Sequence, residues 1–184
     1  MFEHIVGVNS DDAVIAFSFP RYSTTTLKGA QYCASAGATV IGGSAFAACH
    51  SLREIQVPDS VSAIGQEAFE NCTSLISFTV GPNVPVIGYQ TFKGCTALQT
   101  VTFSEGLTTI GMEAFWDCTN LRSAELPDTL TTIDSSAFSN CVSLNTVDLG
   151  ASLTSIGGSA FNGCMITELL IPGTLNNMGA YAFT

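Results

Sequence analysis

A phenylalanine–cysteine pair recurs through this chain at a fixed interval of 23 residues. In every copy the cysteine follows the phenylalanine by three residues, and the copies run from Phe46 and Cys49 to Phe161 and Cys164. A fixed period of this length is typical of a solenoid, in which one short unit stacks on copies of itself. The period therefore predicts a repeat array, and it predicts no site of unique geometry.

An isoleucine–glycine step precedes each phenylalanine and defines where the units begin. Six units and a truncated seventh start at Ile41, Ile64, Ile87, Ile110, Ile133, Ile156 and Met178. We therefore assign residues 41–184 to the repeats and residues 1–40 to an N-terminal capping region. Within that region, residues 13–20 have the pattern of a strand from a decayed repeat, and residues 27–36 that of a short covering helix.

Two apolar spacings alternate inside each unit, and the fourth unit shows both. Residues 121–126 end in the i, i+2 alternation of a short strand, while residues 114–118 place apolar side chains at i, i+1 and i+4, as in one helical turn. A second extended segment, Val/Leu-x-x-Ile, links them. These spacings predict a mostly β solenoid with a parallel sheet on its concave face and short helical turns on the opposite side. The glycine after each leading isoleucine suits a sharp turn or a close backbone approach, with Asp134 replacing it in the fifth unit.

The charge and hydropathy of the chain exclude several classes of partner. The formal net charge is -10, and the 5 basic residues are scattered, whereas nucleic acid and anionic lipid require clustered Lys and Arg. No apolar run reaches the roughly 18–20 residues that span a bilayer. The start of the sequence also has no basic segment typical of a signal peptide. We therefore expect no nucleic-acid partner and no membrane insertion by this chain.

The cysteines indicate packing more than chemistry. Six of the 7 occupy one structural column, no CxxC pair is present, and His4 and His50 are isolated. Because free cysteine behaves as a small buried hydrophobe, we predict a ladder of packed thiols and no metal or cofactor. Cys33 lies outside the column, and its redox state is left open. No G-x-S-x-G, P-loop or H-E-x-x-H motif occurs, so we expect no enzyme activity.

The consensus L-x-x-[IV]-x-[LVF]-P-x-x-[VL]-x-x-I-G-x-x-A-F-x-x-C resembles the BspA-like class of leucine-rich repeats across residues 41–184. The resemblance implies a curved, right-handed solenoid. It also implies a non-catalytic binding role, typically adhesion to host or matrix proteins at the surface of bacteria and some protists. A cell-surface or secreted location is therefore what the family favours, although no leader or anchor is visible in the sequence.

Positions that point outward from the predicted strands vary, whereas the core columns are nearly uniform. A binding face of a repeat protein shows this division, and solvated strand residues that drift freely would show it too. The candidate binding residues are Arg53, Glu54, Gln56, Ser77, Thr79, Thr100, Thr102, Arg122, Ser123, Glu125, Thr146, Asp148 and Glu168.

Glu125 and Asp148 are expected to stand side by side, about one strand spacing apart. Their like charges repel unless a cation lies between them. Because Ca²⁺ needs six to eight oxygen ligands, a basic patch on a partner protein is the better hypothesis.

Three further interpretations are left open. One is an intracellular structural or scaffolding array without a specific ligand. Another is a glycan- or ice-binding surface built on a threonine ladder at residues 108–109, 131–132 and 154–155. The last concerns the C-terminal end: no polar cap follows Phe183, so we expect that the natural protein continues, that this end associates end to end with another chain, or that the last turn frays.

Overall fold

The structure, a computed structural model, describes residues 39–184 together with the strand Val14–Ile15. In this part of the chain the backbone winds into a parallel β solenoid, with equivalent residues of adjacent coils 23 positions apart. Its short strands are β1 Val14–Ile15, β2 Val40–Ile41, β3 Ala63–Ile64, β4 Ser77–Thr79, β5 Val86–Ile87, β6 Thr100–Thr102, β7 Thr109–Ile110, β8 Ser123–Glu125, β9 Thr132–Ile133, β10 Thr146–Asp148, β11 Ser155–Ile156 and β12 Asn177–Met178.

The two-residue strands form the ladder side of the solenoid. They pair in parallel in the orders β1-β2-β3 and β12-β11-β9-β7-β5. In each inner coil the isoleucine is buried and the residue before it points outward, as at Ile110 and Ile133, which are register partners. The first apolar residue of the Val/Leu-x-x-Ile pattern, such as Leu107 or Leu130, is also buried and ends the turn before each strand. The two-residue strands confirm the predicted second extended segment.

The three-residue strands form a second side, paired in parallel as β4 with β6 and β8 with β10. Their central residues, such as Val101 and Ala124, are buried, and the flanking residues point outward. The chain turns after each of these strands. After β8 the turn begins at Pro127, because proline has no N–H group to donate to a continuing pair of strands.

The predicted helical turns are wrong, since no helix occurs in residues 39–184. In the fourth coil, overlapping β-turns are closed by N–H groups that donate to the carbonyl three residues earlier: Ala114 to Gly111 at 3.2 Å and Cys118 to Phe115 at 3.1 Å. Such a chain of turns also brings residues i, i+1 and i+4 to the core. The apolar spacing alone therefore did not distinguish it from a helix.

Contacts between coils explain why this segment is not helical. Phe115 N–H donates to the Ala137 carbonyl of the next coil at 2.7 Å, and Glu113 and Asp117 make equivalent bonds. Glu113 and Asp117 have φ of 56° and 60°, which is left-handed and interrupts a right-handed helix. The backbone thus bonds between coils where a helix would bond within itself.

A phenylalanine column fills the core behind these turns. From Phe46 to Phe183, consecutive rings stack nearly parallel, with centroids 5.0–5.3 Å apart. Parallel strands are about 4.8 Å apart, so the rings repeat at nearly the spacing of the backbone. The stack therefore runs continuously through the coils.

The cysteines form the predicted ladder of packed thiols beside the rings. Cys72, Cys95, Cys118 and Cys141 are fully buried, and the described cysteines are all free. Each of these thiols donates to the carbonyl of a phenylalanine in the preceding coil, as Cys95 does to Phe69 at 3.2 Å. The same carbonyl accepts the Cys72 N–H at 3.1 Å. A small side chain with a weak donor thus satisfies the second lone pair of a buried carbonyl.

The glycine of the isoleucine–glycine step is explained by the close approach of the backbones of adjacent coils. A Cβ added to Gly65 would lie 2.3 Å from the backbone nitrogen of Gly43, and one added to Gly157 would lie 2.4 Å from that of Ser135. Neither glycine has a positive φ. Of the two reasons predicted for this glycine, the packing of adjacent coils is therefore the one that applies at these positions.

Both ends of the array depart from the repeat. Strand β1 lies inside the predicted segment 13–20 and pairs with β2, which places it on the ladder side. The predicted helix at 27–36 and Cys33 lie outside the described residues, and the capping role of residues 1–40 stays a prediction. In the sixth coil, which is one residue shorter, residues 164–172 contain no strand.

Candidate functional site

The second side of the solenoid carries all of the candidate binding residues. We call it the strand face: the outward side chains of β4, β6, β8 and β10 together with those of residues 53–56 and 167–170. Every candidate is exposed except Ser123, which is half-buried. Neighbouring coils align these residues as the register pairs Ser77–Thr100, Thr79–Thr102, Ser123–Thr146 and Glu125–Asp148.

Few side-chain groups of the strand face bond to other described residues. Thr146 Oγ1 donates to Asn145 Oδ1 at 3.0 Å, and Asp148 Oδ1 accepts the Gly150 N–H at 3.2 Å. Across residues 39–184, the hydroxyls of Thr79, Thr100 and Thr102 have no hydrogen-bond partner in the protein. The face therefore presents polar groups whose hydrogen-bonding capacity is available to a ligand.

The threonine ladder on the ladder side is different. Thr108, Thr131 and Thr154 each donate their hydroxyl hydrogen to the backbone of the preceding coil, at 3.0, 3.1 and 3.0 Å. Ser62 makes the same bond to Thr39 at 3.1 Å. These hydroxyls link adjacent coils, and their hydrogens are not available to a glycan or to ice.

The acidic pair of the strand face lacks a neighbouring cation. Glu125 and Asp148 are register partners and both are exposed. The nearest candidate residue with a positive charge is Arg122, directly before β8 and three residues before Glu125, which corresponds to about 10 Å of extended chain. No ion pair joins Arg122 to either carboxylate. The predicted juxtaposition of the carboxylates is therefore present, without an internal counter-charge.

The side of the solenoid formed by the overlapping β-turns, which we call the turn side, carries a cluster of side chains around Lys93. This cluster was not predicted from the sequence. Lys93 Nζ lies 3.2 Å from Glu113 Oε2 and 4.4 Å from the centroid of the Trp116 ring. Gln90 Nε2 donates to the same carboxylate oxygen at 2.6 Å. The cluster forms because residues near 23 positions apart meet between coils, a signal that the repeat alignment contained. It occupies Lys93 on the side away from the strand face.

The buried thiols are protonated at neutral pH. Burial raises the pKa of the Cys95 thiol to about 12, and burial likewise raises the pKa of Cys118 well above its ordinary value. At the end of the ladder, contact with the Cys141 thiol lowers the pKa of the half-buried Cys164. In residues 39–184 no group of three or more His, Cys, Asp or Glu side chains could hold a metal ion. The column of buried thiols thus serves to pack the core.

Two more features of the described residues bear on function. A cavity of about 150 Å³ near the last coil is lined by Phe161, Cys164, Ile166, Thr167, Glu168, Leu169 and Phe183. Most of the side chains that line it belong to the hydrophobic core or pack against it, and none of them is a histidine. The part of the chain that the structure describes contains no helix with the length and hydrophobicity needed to span a bilayer.

Comparison with known proteins supports the repeat assignment. A family model described as the BspA type leucine rich repeat region matches in 6 copies, over residues 23–124 and 108–184. The match is to a repeat region and not to an enzyme family. None of the curated proteins compared matches the chain.

Solved bacterial structures share the fold. A leucine-rich repeat protein from Bacteroides ovatus is 30% identical with a TM-score of 0.70, over 80% of this chain and 44% of that one. The leucine-rich repeat protein of T. pallidum is 30% identical with a TM-score of 0.74, over 77% of this chain and 67% of that one. A leucine-rich cell surface protein from Faecalibacterium prausnitzii is 34% identical with a TM-score of 0.65, over 80% of this chain and 40% of that one. This chain thus spans less than half the length of the first and third of these proteins.

Proposed function

Because this chain belongs to the BspA-type leucine-rich repeat family, we propose that it is a non-catalytic module that binds or adheres to another protein through its strand face. We place this face on the concave side of the array. The phenylalanine rings of the opposite side repeat at 5.0–5.3 Å, slightly more than the about 4.8 Å between parallel strands. A stack of such coils bends toward its strands.

The observation that carries the proposal is the contrast between two arrays of hydroxyl groups. On the ladder side, the hydroxyls of Thr108, Thr131 and Thr154 donate to the backbone of the preceding coil, and Thr109 and Thr132, which make no such bond, are half-buried. The hydroxyls of the strand face, among them Thr100 and Thr102, have no partner among the described residues. A polar surface that the fold does not use for its own cohesion is suited to a ligand. The same contrast favours the strand face over the threonine ladder as a binding surface.

The location of the protein and its assembly are part of the proposal. A cell-surface or secreted location fits the Faecalibacterium relative, which is described as a cell surface protein. End-to-end association through the last coil stays a prediction. There Phe183 stacks on Phe161 with one ring face, and Phe183, Tyr181 and Met178 are exposed.

The proposal is tested by comparing partner recovery by two arginine variants. Thr100→Arg places a large cation at the centre of the strand face, and Gln66→Arg places one on the exposed turn side. Both sites are exposed, so each variant should unfold within about 0.5 kcal/mol of the parent. We expect proteins captured from cell-surface and matrix extracts by the parent to be lost with Thr100→Arg and kept with Gln66→Arg.

The opposite pattern would assign binding to the turn side and contradict the proposal. If the parent chain captures no protein, the scaffolding interpretation gains support. A glycan array and a thermal hysteresis measurement on the parent test the remaining alternative directly.

A further inference from the structure

The outward column of the strand face ends in an abrupt change of chemistry. From the second coil to the sixth it reads Thr79, Thr102, Glu125, Asp148 and Leu170. Leu170 is 88% exposed, more than any other large apolar side chain of the described residues. Two adjacent carboxylates are therefore followed, one coil further, by an unprotected aliphatic side chain.

The outward direction of Leu170 follows from alternation along the chain. Its neighbour Leu169 packs against the core, in the place that Val147 takes in the preceding coil. Leu170 then corresponds to Asp148, as the outward residue that follows. Its exposure is on the strand face, and its position in the last complete coil adds to it, since Ile171 of that coil is 44% exposed where Leu149 of the preceding coil is 1% exposed. An isolated exposed leucine is ordinary, but one beside an unpaired acidic couple gives a surface both charge and apolar area.

The acidic couple has no counter-charge among the described residues. Three cations lie in the described residues: Lys93 is held by Glu113 on the turn side, Arg53 lies three coils from Glu125, and Arg122 forms no ion pair. Glu168 of the sixth coil adds another exposed carboxylate to this end of the face. Two open-sheet carboxylates are too few for a Ca²⁺ site. A lysine or arginine side chain, which can bond both carboxylates at once, complements them.

On the basis of the proposed function, we propose that the strand face binds an extended partner segment containing the motif Lys/Arg-x-aliphatic, aligned along the solenoid axis. The basic side chain lies between Glu125 and Asp148, and the aliphatic side chain packs on Leu170. The spacing supports this pairing. The midpoint of the two carboxylate positions lies one and a half coils from Leu170, or about 7 Å at about 4.8 Å per coil. In an extended segment, side chains i and i+2 are about 6.6–6.8 Å apart on one face.

Beyond Glu125, the partner segment meets two threonines of the same outward column. Continuing toward the N-terminal coils, an extended chain crosses Thr102 and then Thr79, whose hydroxyls have no partner among the described residues. Small polar residues in the partner suit these positions. The basic and aliphatic residues thus fix position and direction, and the hydroxyls tolerate varied sequence.

The test uses bead-displayed nonapeptides on a Ser/Thr/Gly background, with positions four and six randomised, probed with the fluorescently labelled full chain. We expect enrichment of Lys or Arg at position four and of Leu, Ile, Val or Met at position six, or the same pair in reversed order. A library with positions four and seven randomised is the spacing control, and it should enrich no such pair.

Two variants separate the parts of the motif. Glu125→Gln combined with Asp148→Asn should weaken binding of the selected peptides at least tenfold at low salt, because the charge-assisted bonds are lost. Leu170→Ser should remove the preference at position six and leave the basic preference. All of these side chains are exposed, so thermal unfolding should be unchanged within experimental error.

Enrichment of unrelated pairs, absence of enrichment, or binding that persists in the double variant would overturn this inference. These results do not decide the proposed function, because capture of a natural partner by Thr100→Arg tests it separately. If Thr100→Arg still abolishes capture of a natural partner, the strand face binds a protein of different chemistry. If Thr100→Arg has no effect on that capture, the proposed function itself fails.

Discussion

Removal of the Phe115 ring is the sharpest test of how the solenoid is held together. Phe115 is fully buried and stacks on Phe92 at 5.2 Å and on Phe138 at 5.0 Å. Loss of a buried phenylalanine costs about 3–5 kcal/mol in total, and the loss of ring pairs worth about 0.5–1.5 kcal/mol each puts Phe115 in the upper half of that range. We therefore expect Phe115→Ala to lower the free energy of unfolding by about 4–5 kcal/mol.

The same column supplies a matched control. Phe183 has the same ring and coil position, but it is 37% exposed and stacks only on Phe161. With about two thirds of a full transfer term of roughly 1.5–3 kcal/mol, Phe183→Ala should cost about 1–2 kcal/mol. If Phe115→Ala does not fold, Phe115→Leu keeps most of the volume and should cost about 1.5–4.5 kcal/mol through the three lost ring pairs, with Phe92, Phe138 and Phe103.

Urea unfolding is the assay, followed by circular dichroism and by the fluorescence of the single tryptophan, Trp116, beside the substituted ring. Coincident transitions would establish that the coils unfold together and that one free energy describes them. A loss below about 1 kcal/mol for Phe115→Ala, or equal losses for Phe115→Ala and Phe183→Ala, would refute the reasoning that the continuous ring stack is the main source of stability.

Two other predictions concern the thiols and the turns. Because burial raises the pKa of Cys95 from 9.0 to about 12, the folded state keeps a proton that the unfolded state releases, so its contribution is complete below pH 9 and lost above it. Between pH 8 and 10.5, the free energy of unfolding of the parent should therefore fall by about 2 kcal/mol more than that of Cys95→Ala, as measured by urea unfolding. Equal declines would contradict the buried neutral thiol. Gly94 has φ +71° and a Cβ there would meet Asn71 Oδ1, whereas nothing lies within 4 Å of a Cβ on Gly173. Gly94→Ala should thus cost about 1–2 kcal/mol and Gly173→Ala less than about 0.5, as measured by thermal unfolding, with similar values arguing against strain at Gly94.

The parts of the fold that repeat were predictable because repetition averages out local ambiguity. One isoleucine followed by glycine says little, but five such steps from Ile41 to Ile156, with Ile133-Asp134 in the same register, define a column that only stacking explains. The buried thiols followed in the same way, from their place beside Phe46 and its equivalents. At the strand face, alternation sufficed to place Glu125 beside Asp148.

The turn segments could not be predicted from the sequence. At the first left-handed position of each turn segment the φ angles fall on ordinary residues, such as Ser44, Glu67 and Gln90, and at the second position glycine occurs in only two of the described coils, at Gly94 and Gly163. What makes the conformation tolerable is the hydrogen bond that each residue's N–H donates to the following coil, such as Glu67 to Tyr89 at 3.0 Å. No propensity within one unit contains that interaction.

By itself the sequence determined the period, the core columns and the alternation of the strands, because these depend on which side chains are apolar and how often they recur. Only the tertiary structure decided that the turns are not helical, which hydroxyls are engaged, and that five phenylalanine carbonyls, those of Phe46, Phe69, Phe92, Phe115 and Phe138, accept the thiol of the next coil. All three depend on backbone atoms of a neighbouring coil about 4.8 Å away, and backbone atoms are the same for every residue type. The pattern of side chains therefore predicts which residues lie inside, and the contacts between coils decide how each polar group is satisfied and which remain for a partner.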